Sequence, residues 1–250
     1  MSNILFENEG IMCDKIDDFA VFYLKTDAYT FLSDMIERDE YHTFIKGVMG
    51  DDSIRGIGYI KDQNRFDDAS FGEKFQAIHE GKGIGVRSAF EKIVNTVLVS
   101  SQLFLGCGKP TACGMVGMVG YDYFGYSMLF NYRCASNDTS FINTAYRFGV
   151  PPTAVLPYFL RHSIGQAKTS EVMLLKETLS ADEAKELGII NNVVPPEDVL
   201  ENCLNALEKM AKIPTNTFAS VQSIVQPSVE DLEVYLDAAK KNIFSNILNQ

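Results

Sequence analysis

The sequence is short of basic residues, and this shortage limits the partners that the protein can bind. Across 250 residues, 22 lysines and arginines stand against 33 aspartates and glutamates, which gives a formal net charge of −11. Binding to a nucleic-acid backbone depends on clustered lysine and arginine side chains that neutralise phosphates. We therefore expect no nucleic-acid partner.

The sequence also lacks the cysteine spacing of a disulfide framework or a zinc site. Its cysteines are odd in number and scattered, with no C-x-x-C pair and no neighbouring pair of histidines. They are Cys13, Cys107, Cys113, Cys134 and Cys203. This pattern favours reduced, packed thiols in a cytoplasmic protein, and we expect no metal.

Long apolar runs and nucleotide-binding loops are missing as well. The N-terminal MSNILFENEGIMCDK has acidic residues near its start, so we expect no signal peptide. The most apolar stretch, residues 93–106, is too short and too polar to cross a bilayer, so we expect no membrane partner. The glycine-rich stretches 81–85 and 114–120 lack the lysine–serine pair of a phosphate-binding loop. No separate cofactor is therefore expected.

What the sequence does contain is an alternation of strand-like and helix-like segments. Residues 19–26 (FAVFYLKT) read as a strand and residues 29–48 as a helix. The polar, glycine-dotted stretch 47–82 predicts loop and short helix. From Val86 the apolar residues follow a period of 3.6, which predicts an amphipathic helix that ends at Gly106.

The central part of the chain predicts strands joined by short helices. Residues 109–117 (KPTACGMVG) read as a buried strand, 122–132 as a helix that Asp122 can cap, and 133–136 as the next strand. The sequence S-A-D-E at 180–183 matches a capping box, which predicts a helix that stops at Gly188.

The C-terminal part predicts helices almost throughout. After the short strand IINNVVP, everything from Pro196 onward has helical patterns. We expect residues 1–195 to form an α/β core and residues 196–250 to form a helical region for packing and oligomerisation. The repeated apolar positions of this region, such as Leu204 and Tyr235, favour a trimer or hexamer.

The order of short segments between Lys109 and Pro195 resembles the crotonase family, also called the enoyl-CoA hydratase/isomerase superfamily. The matching segments are Lys109-Pro110, Arg133-Cys134-Ala135-Ser136, Phe141, Gly149-Val150-Pro151-Pro152, Ile164-Gly165-Gln166-Ala167-Lys168 and LSADEAKELGIINNVVP at 179–195. The last segment is the most specific of the series.

This resemblance implies an α/β fold, the crotonase-type spiral of repeated ββα units with a helical C-terminal region, assembled as a homotrimer or hexamer. It implies a substrate that is an acyl-CoA or acyl-carrier-protein thioester, with coenzyme A present only as part of the substrate. It also implies an oxyanion hole of two backbone N–H groups, which map by position to Gly58 and Asp122.

The sequence departs from the family pattern where the family's chemistry is concentrated. Tyr121, Asp122 and Tyr123 stand where the family turn has three glycines. Gly125 and Ala145 stand where family hydratases have their two glutamates. Neither replacement can transfer a proton, so we expect no ordinary two-glutamate hydration.

Three functions are compatible with this pattern. The chain can be a divergent enzyme of isomerase or lyase type, with Asp122, Tyr121, Tyr59 or Tyr146 as acid or base. It can be a catalytically inactive thioester-binding or structural subunit, or a thioester decarboxylase. In the simplest alternative, Asp122 only caps a helix and the nearby tyrosines, including Tyr126, only fill space between layers.

Overall fold

The computed structural model describes residues 3–25, 35–61, 84–143 and 155–248. The strands are β1 (Ile4–Glu7), β2 (Ile11–Ile16), β3 (Phe19–Leu24), β4 (Gly56–Lys61), β5 (Thr111–Met115), β6 (Met118–Gly120), β7 (Tyr132–Ser136), β8 (Ser140–Ile142), β9 (Thr178–Ser180) and β10 (Asn192–Val194). The helices are α1 (Met35–Gly50), α2 (Ile84–Leu105), α3 (Tyr121–Ser127), α4 (Leu156–Leu175), α5 (Ala181–Glu186), α6 (Val199–Met210), α7 (Thr215–Val225) and α8 (Val229–Leu248), with a 3-10 turn at Pro196–Asp198.

Two sheets organise these elements. The larger has seven strands in the order β1-β2-β3-β4-β5-β7-β10, and the smaller has three in the order β6-β8-β9. The first two pairings of the large sheet are antiparallel and the others are parallel. In the units β5-β6-α3 and β7-β8-α4, the chain passes from the large sheet to the small sheet and then into a helix. This is the predicted spiral of ββα units.

Strands β3, β4 and β5 in the middle of the large sheet are buried on both faces, which explains their largely apolar sequences. Along β3, Ala20 and Phe22 belong to the main core, whereas Phe19 and Val21 join a second cluster on the opposite face. Helix α6 covers that second face through Cys203 and other buried residues. The first helix after residue 195 therefore packs directly on the large sheet.

A glycine in β5 permits the close approach of α6 to the sheet. A Cβ atom at Gly114 would lie 2.6 Å from Cγ1 of Val199 and 2.8 Å from Cδ1 of Ile60. Real Cβ atoms do not approach other atoms so closely, so a larger residue at position 114 would push α6 away from the sheet.

The sequence predicted some elements correctly and others wrongly. The strand at β3, the helix α2 that ends before Gly106 and the capping box at the start of α5 are confirmed. The expectation of loop and short helix after Gly47 is wrong at β4, because all six residues of that strand are buried between β3 and β5. The buried strand predicted for 109–117 is confirmed by β5, whereas the sequence did not reveal β6, which Gly117 separates from β5 by adopting a positive φ of 70°.

The five cysteines are free and buried, as the sequence predicted. Burial raises the pKa of the Cys13 thiol and that of the Cys113 thiol to about 12. Neutral thiols of this kind behave as small apolar side chains.

The apolar residues of the C-terminal region are largely used within the chain itself. Val199 and Leu207 pack on the large sheet, and Leu232 and Leu236 belong to the main core. The most exposed apolar residues of this region lie on α7, where Ile224 is 82% exposed, and on α8, where Val234 is 72% exposed. The trimer or hexamer stays a prediction, and so does the division of the chain at residue 195. In the described ranges, no helix has the length and apolar character needed to span a bilayer.

Candidate functional site

The site predicted from the sequence lies around α3, and the turn that leads into this helix is held from two directions. From the large sheet, the carbonyl of Lys61 at the end of β4 accepts a hydrogen bond from the Val116 N–H at 3.1 Å. The buried Lys61 ammonium donates to the Met118 carbonyl at 2.7 Å. Lys61 therefore fixes the chain on both sides of Gly117.

The small sheet holds the same turn from the opposite direction. The hydroxyl of Thr139 donates to the Met115 carbonyl at 3.1 Å, and the N–H of Ser140 donates to the Gly117 carbonyl at 3.2 Å. The glycine supplies the left-handed conformation that this tight passage requires. The small residues before α3 thus allow the tight turn by which the chain passes from the large sheet to the small sheet.

Helix α3 begins differently from the prediction. Its N-cap residue is Gly120, with φ −66° and ψ 150° and no side chain to cap the first turn. Asp122 is the second helical residue, so the prediction that it caps the helix is wrong. Its carboxylate still lies in the first turn, where the helix dipole favours negative charge. The side chain is partly exposed.

Two of the tyrosines around Asp122 are core residues. Tyr121 is 3% exposed, and its hydroxyl donates to the Val172 carbonyl of α4 at 3.5 Å. The hydroxyl of Tyr123 lies 3.6 Å from the Cys113 thiol of β5. These contacts favour a packing role for both rings, because each hydroxyl is directed at a neighbouring element of the core.

Tyr126, one helical turn after Asp122, belongs to a chain of hydrogen-bonded side chains that the sequence did not reveal. Its hydroxyl lies 3.5 Å from the hydroxyl of Tyr41, which is also hydrogen-bonded to the hydroxyl of Tyr59. Tyr126 further bonds to Ser100, whose Oγ lies 3.2 Å from Nε2 of His42. The chain connects α3 with β4, α1 and α2.

The protonation of this chain follows from its burial. Burial, with the Arg38 charge adding to it, lowers the pKa of His42 to about 4, so its imidazole is neutral at pH 7. Burial also raises the pKa of Tyr41 well above 10. A buried network that keeps its protons and satisfies its polar groups rigidifies the elements it joins. In the sequence, Tyr41 and His42 lie in the helix predicted for residues 29–48, and no motif marks them as members of such a chain.

The residue proposed for the first oxyanion donor lies inside a strand. Gly58 is the third residue of β4 and pairs with Val21 on one side and Ala112 on the other. The N–H of Ile57 donates to the Pro110 carbonyl towards β5. Because N–H groups alternate in direction along a strand, the N–H of Gly58 points towards β3. This arrangement makes Gly58 a weaker candidate donor than Asp122.

Two further predicted positions fall outside the described residues. Tyr146, a predicted acid or base, and Ala145, at the second glutamate position, both lie there. Gly125, at the first glutamate position, is buried in the middle of α3. The structure thus brings together Asp122, Tyr121 and Gly125 on one helix.

Metal binding finds no support in the part of the chain that the structure describes. No group of three or more histidine, cysteine, aspartate or glutamate side chains there is arranged to hold an ion. The expectation that coenzyme A enters only as part of a substrate stays a prediction.

Comparison with known sequences identifies the group of proteins to which the chain is related. The enoyl-CoA hydratase/isomerase family model matches residues 91–250. The 4-chlorobenzoyl coenzyme A dehalogenase-1 of Arthrobacter sp is 24% identical over 140 residues, covering 56% of this chain and 51% of that protein. The trans-2-decenoyl-[acyl-carrier-protein] isomerase of Streptococcus mutans is 25% identical over 145 residues, covering 55% and 54%. The chain spans about half the length of these relatives.

Comparison with solved structures extends the likeness to nearly the whole chain. An enoyl-CoA hydratase from Bacillus halodurans superposes with a TM-score of 0.77 at 16% identity, covering 95% of this chain and 94% of that one. ThnE from S. clavuligerus gives 0.70 at 16% identity, covering 92% and 98%. At these identities the likeness establishes the fold. Together with the match over residues 91–250, it shows that the chain belongs to the enoyl-CoA hydratase/isomerase family, the crotonase family.

Proposed function

We propose that this protein acts on an acyl thioester of coenzyme A or of acyl-carrier protein by stabilising its enolate, in isomerase- or lyase-type chemistry. The observation that carries this proposal is the start of α3. There a strand of the small sheet runs into a helix at Gly120, and the N–H of Asp122 lies in the first turn. The N-terminal turn of a helix favours negative charge, so a backbone N–H in this turn is suited to stabilise a developing oxyanion.

The names of the relatives support the choice of substrate class. One relative is named for a benzoyl-CoA thioester and another for a decenoyl thioester of acyl-carrier protein. Dehalogenation and isomerisation are different reactions, and both names specify an acyl thioester. The proposal for this chain is therefore restricted to the thioester and to the anion formed next to it.

The base proposed for the reaction is the carboxylate of Asp122. It is partly exposed and lies in the same turn as the proposed N–H donor. A carboxylate next to an enolate helps only if it takes the proton that leaves the substrate carbon. Tyr121 is a weaker candidate because its hydroxyl is directed at Val172. Tyr146 stays a candidate from sequence alone.

Ordinary hydration is excluded from the proposal. Gly125 offers no acid or base, and Ala145 offers none at the other glutamate position. We expect purified protein to leave crotonyl-CoA unhydrated when its absorbance is followed with enzyme at micromolar concentration. Rapid hydration of crotonyl-CoA would contradict the assignment of these two positions.

Enolate formation can be tested directly by isotope exchange. Hexanoyl-CoA and hexanoyl-acyl-carrier protein are incubated with the protein in D₂O, and deuterium at the α carbon is measured by mass spectrometry. We expect exchange well above a protein-free control with at least one of the two. Thioester binding without exchange would support the inactive subunit instead, and absence of both would refute the proposal.

A further inference from the structure

A cleft with a volume of about 780 Å³ opens at the C-terminal end of α3, whereas the proposed function uses the start of this helix. Its lining includes the buried side chains of Met128 and Phe130, which follow α3 directly, and side chains from α4, α7 and the beginning of α8. Small-molecule sites in proteins have volumes of this order and a mostly apolar lining with a few polar groups. The cleft is therefore a candidate binding site of its own.

Aromatic side chains form much of the wall of this cleft. Tyr158 and Phe159 of α4 and Phe218 of α7 line it and are otherwise buried in the protein. Val221 of α7 lines it too and is 53% exposed. A ligand with an apolar body would remove this surface from water, which is favourable in proportion to the apolar area covered.

The guanidinium of Arg133 supplies a positive charge to the lining. Its Nε donates to the Ile189 carbonyl at 2.7 Å and its Nη1 to the Phe130 carbonyl at 2.6 Å. Both acceptors are neutral. Within the described ranges, Nη2 has no hydrogen-bond partner and no carboxylate forms an ion pair with Arg133. Burial lowers the pKa of this group, but an arginine titrates so far above neutral that it stays charged at pH 7.

Asn131 places a second donor in the same lining. Its Oδ1 accepts hydrogen bonds from the N–H of Thr111 at 2.9 Å and from the Thr111 hydroxyl at 2.8 Å. Because a backbone N–H can only donate, these bonds fix the orientation of the amide, with Oδ1 towards β5 and Nδ2 away from it. The lining thus contains a guanidinium and an amide N–H₂ two residues apart in the chain, and both groups bind anions.

The acidic residue of the lining lies apart from this guanidinium. Asp231 is exposed, lies in the first turn of α8 and forms no ion pair with Arg133. Its charge acts on Tyr158 instead, where it adds to the effect of burial in raising the pKa of the phenol. Water and salt screen an exposed carboxylate, so Asp231 opposes the binding of an anion only weakly.

We infer that this cleft binds an organic carboxylate with an apolar body, with the carboxylate on Arg133 and Asn131 and the apolar body against the aromatic wall. A guanidinium matches the geometry of a carboxylate and forms charge-assisted hydrogen bonds with it. A partly buried cation without an acidic partner gains most from a ligand that brings the opposite charge. The inference goes beyond the proposed function and does not depend on it, because no residue of the cleft takes part in the proposed reaction.

The probe for this site is 4-phenylbutyrate, and its uncharged counterpart is 4-phenylbutyramide. Both are titrated into protein that carries ¹³C in its methionine methyl groups. Met128 and Met210 line the cleft, whereas Met118 of β6 does not. We expect the phenyl ring to shift the signals of Met128 and Met210 and to leave that of Met118 in place. Absence of these two shifts, or equal affinity for acid and amide in calorimetry, would overturn the inference.

Replacing the cation tests the polar end of the site. Arg133→Met removes the charge and keeps an unbranched side chain. We expect affinity for 4-phenylbutyrate to fall about 10-fold or more, the usual contribution of a hydrogen bond to a charged group, with little change for the amide. Arg161→Met is the matched control, because Arg161 is exposed on α4, does not line the cleft and gives the same change in net charge. Equal losses in the two variants would overturn the role of Arg133.

A second pair of variants covers the case in which Arg133→Met does not fold. Val221→Asp introduces a negative charge at the cleft and keeps the hydrogen bonds of Arg133, whereas Ile224→Asp introduces it on the same helix at a position that is 82% exposed and does not line the cleft. We expect weaker binding of 4-phenylbutyrate in Val221→Asp alone. Unchanged binding there would overturn the inference. So would a fall in mass by light scattering in Val221→Asp without any methyl shift in the wild type, because a second copy of the chain would then be what covers the cleft.

Discussion

Helices α3 and α5 both begin directly after a short strand, but their first turns are stabilised in different ways. Each follows a three-residue strand of the small sheet. At α5 the Ser180 side chain accepts a hydrogen bond from the Glu183 N–H, and the Glu183 carboxylate accepts one from the Ser180 N–H. At α3 the corresponding residue is Gly120, which has no side chain to offer.

The first turn of α5 is thus stabilised by side chains of the helix itself, whereas that of α3 is not. In a capping box, side chains of the protein accept hydrogen bonds from backbone N–H groups at the helix start. This stabilises the helix and leaves fewer N–H groups to bind a ligand. At α3 stability comes from outside the helix, because Lys61 and Thr139 fix the preceding turn. The first turn of α3 is therefore fixed by contacts from outside the helix, and the proposed function uses its backbone N–H and the Asp122 carboxylate.

Substitution of Asp122 should give the largest difference between the two helix starts, and this difference concerns activity. Asp122→Asn keeps the size of the side chain and removes its ability to take a proton. We expect α-carbon exchange to fall by about 100-fold or more, with a melting temperature close to that of the wild type. Asp122→Ala should lose the same activity and only about 0.3–1 kcal/mol of stability, because Asp122 is not the N-cap residue. Full exchange in the asparagine variant would remove Asp122 as the base.

The glycines next to the two helices should give the next largest effects, this time on stability. Gly117 before α3 has φ 70°, and Gly188 after α5 has φ 74°. Alanine in the left-handed region costs about 1–2 kcal/mol, so each Gly→Ala variant should unfold at lower urea concentration. Gly117→Ala should also reduce exchange, because the turn it strains positions α3. Equal activity in both variants would show that the entry to α3 tolerates displacement.

Sequence patterns predicted α5 in full and α3 only in part, and the reason is physical. A capping box is local, so Ser180 and Glu183, three residues apart, contain the whole signal. The arrangement of α3 depends on the contact of Lys61 with Met118, 57 residues away, and on that of Tyr41 with Tyr126, 85 residues away. The resemblance to the family located the turn and the strand order.

The same reasoning explains the error at β4. Three of its first four residues are small or aromatic in a pattern that suits a loop, namely Gly56, Gly58 and Tyr59. Their burial comes from tertiary contacts: Gly58 faces Val21 and Leu207, and Tyr59 stacks on Phe22 with ring centroids 4.9 Å apart. The pattern of apolar residues within a short segment does not predict such contacts, because they are made with residues far away in the sequence.

A smaller effect is expected from breaking the cap of α5. Ser180→Ala should cost about 1 kcal/mol, the usual price of losing an N-cap side chain, and should leave thioester exchange unchanged. The measurement is urea unfolding followed by circular dichroism, with exchange assayed on the same preparation. A large loss of exchange would mean that the two helix starts are coupled and that α5 is more than structural.

The smallest effect concerns the dependence of α5 on pH. A hydrogen bond from the Lys176 ammonium, with others from Ser180, lowers the pKa of Glu183 from 4.5 to about 2. A carboxyl whose pKa is lower in the folded state stabilises that state above its unfolded pKa, and the contribution disappears as pH falls through the folded value. The wild type should therefore be slightly more stable than Glu183→Gln at pH 7, with the difference shrinking from about pH 4.5 down to about pH 2. Unfolding in urea at several pH values, with both proteins measured side by side, isolates this carboxyl from the others that titrate in the same range. A difference that stays constant over the whole range would show that the charge of Glu183 contributes nothing and that its hydrogen bonds to Ser180, which glutamine can partly replace, account for the cap.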